Sequence, residues 1–179
     1  MCVARTDRLV LRHYREEDAP TLLAQLNDPA FHRYIGDRGV RTLDEARRYL
    51  EERIAASYAR HGFGMYLVEL EDGTPVGMTG LVRRDGLDDA DLGFAFLPDH
   101  RRRGFALEAS RVVLKLARRR FGLGRVVAIT SMDNAASARL LARLGFAFER
   151  LVVLPGDDEE LRLWGWTLPE EATPAGPNG

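Results

Sequence analysis

The segment Leu97-Pro98-Asp99-His100-Arg101-Arg102-Arg103-Gly104-Phe105-Ala106 concentrates residue types that hold a phosphate. A strand should end at Pro98, three arginines follow, and a helix should start at a glycine. The first turn of a helix leaves four backbone N–H groups unpaired and carries partial positive charge. Such an end takes an anion when the backbone can come close. Gly104 has no Cβ to obstruct that approach, and Ala106 has the next smallest side chain. Arg101, Arg102 and Arg103 add cationic, bidentate donors. The chemistry implied is recognition of phosphate or pyrophosphate. The same spacing also fits a plain strand-to-helix turn with solvated arginines, because charge runs are usually wet surface. Neither G-x-x-x-x-G-K-[ST] nor G-x-G-x-x-G occurs, which argues against a nucleotide triphosphatase and a Rossmann dehydrogenase.

A second segment runs from Asp133-Asn134-Ala135-Ala136-Ser137 to Leu144-Gly145-Phe146. Together the two segments resemble the GNAT acetyltransferase superfamily. Arg101-x-x-Gly104-x-Ala106 is similar to its acetyl-CoA signature, and the second segment to its asparagine-led helix ending in Leu-Gly-Phe. The opening Arg8-Leu9-x-Leu11-Arg12 and the phrase Gly104-Phe105-Ala106-Leu107-Glu108-Ala109 resemble the Rim-type, ribosomal-protein acetyltransferase branch. The likeness spans roughly residues 5 to 168.

The resemblance implies an α/β GNAT fold: a mixed, mostly antiparallel twisted sheet, split into a V by splayed central strands, with helices on both faces. It implies a bulge in the strand from Asp91 to Leu97. Backbone groups of Phe96 and Leu97 would pair with the pantetheine arm. Amides from Arg102 to Ala106, Phe105 included, would hold the pyrophosphate, and Asn134 would bind the pantetheine side. Acetyl-CoA would be the co-substrate. The family's frequent tyrosine, seven residues after the asparagine, is here Leu141, which has no proton to give.

Each remaining candidate carries two readings. Asn134 also suits a helix N-cap. Ser137, three residues on, could protonate the departing thiolate or simply occupy a helical turn. Asp91 could be the base that takes the amine's proton, directly or through water, or an ordinary strand-edge charge. Glu108 reads as a complement to the helix dipole. Trp164 and Trp166 read as packing residues, and Arg118 to Arg120 as charges at a helix end. The expected activity is acetyl transfer to a primary amine, either a protein N-terminus or a small molecule, by direct attack in a ternary complex. The alternative is a catalytically silent acyl-CoA sensor or interaction domain.

These residues need elements to hold them. Leu9 to Tyr14 alternates as a first strand. Asp18 should cap a helix through Leu22, Leu23 and Leu26, with Asn27-Asp28-Pro29 as its stop. Thr42 and Glu45 form a capping box for a helix that runs to His61-Gly62. Gly64 to Leu70, Pro75 to Leu81 and Asp91 to Leu97 read as strands. A helix after Gly104, a β-branched strand from Arg125 to Thr130, a helix from Ala135 to Leu144, and strands over 146–154 and 161–168 complete the order. Residues 1 to 168 read as one domain, and 169 to 179 as a disordered tail.

Composition narrows the rest. The chain has 179 residues, long enough for a self-sufficient core. With 26 Lys and Arg against 27 Asp and Glu, its net charge of -1 offers no broad attraction to nucleic acid or to an anionic membrane. The single cysteine, Cys2, excludes an internal disulfide, points to a reducing cytoplasm, and sits in what reads as a frayed terminus. The four histidines lack metal-ligand spacing, so no metal is expected. A monomer and a homodimer fit equally.

Overall fold

The computed structural model describes residues 1–167. Eight strands form one open sheet in the order β1-β2-β3-β4-β5-β6-β8-β7. The strands are β1 Cys2–Arg5, β2 Leu9–Arg12, β3 Met65–Leu70, β4 Pro75–Val82, β5 Ala90–Phe96, β6 Arg125–Ser131, β7 Ala147–Val153 and β8 Glu160–Thr167. Every neighbouring pair is antiparallel except β5 and β6, which run parallel.

That parallel pair is the break in the sheet. Its register holds only Ala90 opposite Val126 and Asp91 opposite Val127, after which the strands part. The sheet therefore opens as a V with its closed end at Asp91. The expected bulge in β5 is not there. Its register with β4 is continuous from Gly77 opposite Phe96 to Val82 opposite Asp91. The shifts in register fall instead in the pairings of β1, β3 and β7 with their neighbours. The V opens because two strands diverge, with no extra residue needed.

The helices are α1 Ala19–Leu26, α2 Pro29–Tyr34, α3 Leu43–Tyr49, α4 Ala56–His61, α5 Phe105–Arg119 and α6 Ala135–Leu144. They cover both faces. Val113, Leu114 and Ala117 of α5 and Leu141 of α6 pack with Leu9, Val76, Leu92 and Phe96 of the sheet. On the other face, Leu22 and Leu26 of α1, Phe31 of α2 and Ala46 of α3 pack on Leu67 and Met78.

Several local expectations need correction. Cys2 is not frayed: it opens β1, paired opposite Arg12. Pro29 does not merely stop α1. It starts α2, where proline's missing N–H costs nothing, and the Asp28 side chain accepts from the Phe31 N–H at 3.1 Å. Asp18 precedes α1 without capping it through its side chain. Its carboxylate takes two bonds from the Arg12 guanidinium, which also binds Glu69, so β2, β3 and the start of α1 share one buried cation.

The Thr42–Glu45 capping box forms as expected. The helix it starts continues through a π-helical stretch, Leu50–Ala55, into α4, which ends at left-handed Gly62. The expected tail, residues 169–179, lies outside the described residues.

Candidate active site

The phosphate-loop segment connects the open end of β5 to the start of α5. Its backbone is unusual. Arg102 has φ of 61°, the one non-glycine residue with positive φ among the described residues. Gly104, the N-cap of α5, has φ of 80°. A non-glycine residue in the left-handed region costs of order 1–3 kcal/mol and persists only where its surroundings enforce it. Left-handed residues within such a turn set successive amides around a concavity that suits an anion. The helical ladder of α5 starts with the Glu108 N–H donating to the Gly104 carbonyl. The amides of Arg102 to Ala106 thus have no backbone acceptor among the described residues. Donors, curvature and the dipole of a 15-residue helix converge on one exposed spot.

Gly104 meets a backbone requirement besides the open approach expected of it. A Cβ placed there would lie 3.5 Å from Arg8 Nη2, an ordinary contact. Within the protein it is the left-handed φ, rather than a clash, that disfavours other residues here.

The three arginines also divide their work. Arg102 and Arg103 are exposed, and their guanidinium groups have no partner among the described residues. Arg101, also exposed, is instead tied to the protein. Its Nε donates to the Phe96 carbonyl at 2.8 Å and its Nη2 binds Asp28, the cap of α2. Arg101 is a tether joining the loop, β5 and α2, and its charge is already matched.

Leu97 is also occupied. Its N–H donates to Val76 and its carbonyl accepts from His100. It cannot pair with a pantetheine arm as expected, and the Phe96 carbonyl is taken by Arg101. Antiparallel pairing alternates: since Leu97 bonds to β4, the backbone groups of Leu92, Phe94 and Phe96 face the other way, into the V. The edge offered to an extended ligand is therefore the Leu92 carbonyl, Phe94 and the Phe96 N–H.

On the β6 side, Asn134 caps α6 by accepting from the Ser137 N–H at 3.0 Å. Its Oδ1 is spent on the helix, which leaves the Nδ2 donors for a ligand. Ser137 is half-buried in the first turn, and its hydroxyl makes no hydrogen bond among the described residues. Leu141 is fully buried in the core against α5, so this position is packing.

Asp91 sits where β5 and β6 still touch, 1% exposed. Arg84 Nε holds one carboxylate oxygen at 2.9 Å, and the other is buried without a partner. Burial pushes its pKa up, against the pull of Arg84. An amine has no route to a carboxylate so enclosed. Direct proton removal by Asp91 does not fit its surroundings, a buried site at the apex shared with Arg84.

Glu108 does more than offset the dipole: it binds Thr6 and Arg8. Arg8 was visible in the opening motif without a role, and its spacing from Glu108 gave no hint of contact. Asp28 was hidden behind the proline read as a stop. Trp164 and Trp166 pack against Phe148 and Phe146, as expected. No group of three or more His, Cys, Asp or Glu suited to a metal ion occurs among the described residues. No helix there is long and apolar enough to cross a membrane.

A left-handed turn with unpaired amides, at the open end of a splayed sheet, is the arrangement expected from the signature motif. Residues 8–147 match the acetyltransferase (GNAT) domain family. The chain belongs to the GNAT acetyltransferases. It is 30% identical over 152 residues to the uncharacterized N-acetyltransferase YoaA of Bacillus subtilis, covering 82% of this chain and 84% of YoaA.

The GNAT fold is shared with RimL, the ribosomal L7/L12 α-N-protein acetyltransferase, solved in complex with coenzyme A. That match has a TM-score of 0.81 at 19% identity and covers 94% of this chain and 98% of RimL. Spermidine N-acetyltransferase of Vibrio cholerae, solved with CoA and spermine, aligns with a TM-score of 0.74 at 18% identity, over 90% of this chain and 96% of that one.

Proposed function

We propose that this chain transfers an acetyl group from acetyl-CoA to a primary amine, a protein N-terminus or a small molecule, by direct attack in a ternary complex. The observation that carries this reading is the prefolded turn of left-handed Arg102 and Gly104, beside the unpaired inner edge of β5. The amides of Arg102 to Ala106 receive the pyrophosphate, with Arg102 and Arg103 supplying charge from the rim. The Leu92, Phe94 and Phe96 edge aligns the pantetheine arm, and Asn134 Nδ2 donates from the opposite side.

The amine attacks as its free base after losing its proton to water at the mouth. Direct attack requires stabilisation of the tetrahedral oxyanion, a task suited to backbone N–H groups. The C–S bond then breaks as the proton carried by the attacking nitrogen passes to the leaving thiolate through the Ser137 hydroxyl, which gives one proton and takes the other. The acceptor faces the α1–α3 side of the V, where those helices and the segment linking them form the wall. The Rim-type motifs favour a protein N-terminus.

The test is a panel of N-terminal peptides and small amines followed by free-thiol release. An amine that releases thiol only in the presence of the enzyme supports the reading. Tight CoA binding with no turnover on any amine would instead assign the chain to acyl-CoA sensing.

A further inference from the structure

We infer that Arg8, from the turn between β1 and β2, is a positioning residue that sets the phosphate-binding amide of Gly104; this rests on the cofactor reading above. Arg8 lies about a hundred residues before the loop, yet its guanidinium reaches it. Nε donates to Glu108 Oε2 at 2.8 Å, and Nη2 donates to the same oxygen. Nη1 donates to the carbonyl of Arg103 at 3.1 Å. The guanidinium carbon lies 4.8 Å from the centre of the Phe105 ring. Glu108 is itself fixed by the Thr6 hydroxyl, and Thr6 also accepts from the Leu9 N–H at 2.9 Å. One strand turn therefore grips the first turn of α5.

The consequence follows from peptide geometry. A trans peptide is planar, and its C=O and N–H point in opposite directions. Arg8 holds the Arg103 carbonyl outward, so the N–H of the same peptide, that of Gly104, points to the side away from Arg8. That unit ends at left-handed Gly104, where rotation of a peptide plane is otherwise easiest, and left-handed Arg102 lies one residue before it. Arg8 does not meet the phosphate with its own charge, which Glu108 already matches. It orders the amide that does. The arrangement links two features that the sequence shows far apart, the opening Arg-Leu-x-Leu-Arg and the glutamate after the glycine loop.

Lysine cannot replace this geometry. An ammonium is a single point of donation and does not span a carboxylate and a carbonyl in one plane. A methionine keeps the contact with Phe105 and removes every donor.

The experiment measures CoA affinity by calorimetry for wild type, Arg8→Met, Arg8→Lys and Glu108→Gln, beside the thermal melt of each. It also compares acetyl-CoA with S-acetyl-pantetheine, which lacks the pyrophosphate, as donors to an amine that wild type acetylates. The expected result for Arg8→Met is CoA binding weaker by about tenfold or more, the scale of one hydrogen bond to a charged group. The lysine variant recovers little of it, and kcat/KM with S-acetyl-pantetheine stays at the wild-type value. Glu108→Gln, which frees Arg8 without removing it, weakens CoA in the same direction. If Arg8→Met melts lower but binds CoA as wild type does, Arg8 only braces the fold and the inference fails. Equal losses with both donors also overturn it. Wild type that fails to bind CoA at all overturns the cofactor reading itself.

Discussion

Replacing Ser137 with alanine separates two jobs that a hydroxyl can do in the first turn of α6. A positioned proton donor is worth about 100-fold or more in rate. A turn hydroxyl is worth almost nothing in rate, and alanine is the better helix former. The expected outcome for Ser137→Ala is a kcat lower by about 100-fold with unchanged CoA affinity and melting temperature. Retention of half the wild-type kcat would show that the thiolate leaves without help from this side chain. Leu141 offers the complementary test. Its side chain is fully buried against the core, so Leu141→Tyr should overpack it, lowering stability by about 1–3 kcal/mol. No gain in kcat should accompany the loss, because a phenol at this site has nowhere to point but the interior. Urea unfolding and steady-state rates measure the two effects.

Asp91 makes a prediction in pH. Burial raises its folded pKa above the ordinary 3.8, outweighing Arg84. The unfolded chain therefore gives up this proton first as pH rises, and ionisation weighs against the native state. The stability contributed by holding the proton is complete below the ordinary value and is lost as pH climbs through the raised one. Asn stands in for the neutral acid. The melting temperature of Asp91→Asn relative to wild type should thus climb as pH rises from the ordinary carboxylate range through the raised value. A difference that shrinks over that range would show that the ion pair with Arg84 is the stronger influence.

Among the elements, those with local chemistry in the chain were legible. The Thr42 and Glu45 capping box, the left-handed glycines at 62 and 145, and the β-branched run of β6 each encode their own structure within a few residues. Thr42→Ala should cost about 1 kcal/mol in urea unfolding, with CoA affinity unchanged, since the cap lies on the wall and outside the loop. What the sequence did not reveal depends on partners far away. Asp28-Pro29 reads as a stop until Phe31 is seen packing on the second core, which makes a six-residue helix worthwhile. β1 carries only four residues, and it exists because β2 offers it an edge. The absence of a bulge in β5 reflects its continuous pairing with β4, again a property of two strands. In the same way, the run Arg101-Arg102-Arg103 shows three equal charges, and only folding ties the first one to Phe96 and Asp28.

For the whole molecule, acetyl-CoA should raise the melting temperature. A ligand held only by the native state at 100 times its Kd adds about 2.7 kcal/mol. Gly104→Ala should remove most of that rise, because an L side chain resists the φ of 80° on which the turn depends. An undiminished rise in Gly104→Ala would take the ligand away from this turn. One further feature acts at this scale. The helix α2 is fastened at one end through Asp28 to Arg101, beyond the tip of β5, and through Arg33 to Asp133, just beyond the tip of β6, at 2.8 Å. The two diverging strands are thus the legs of a compass and α2 is its crossbar, whose length fixes the spread. Asp28 is largely enclosed, whereas Arg33 and Asp133 stand in solvent, so ions reach one rivet and not the other. Salt should slacken the β6 leg first, raising the KM for acetyl-CoA, whose pantetheine contact Asn134 adjoins Asp133, and Asp133→Asn should bring the same change at low salt.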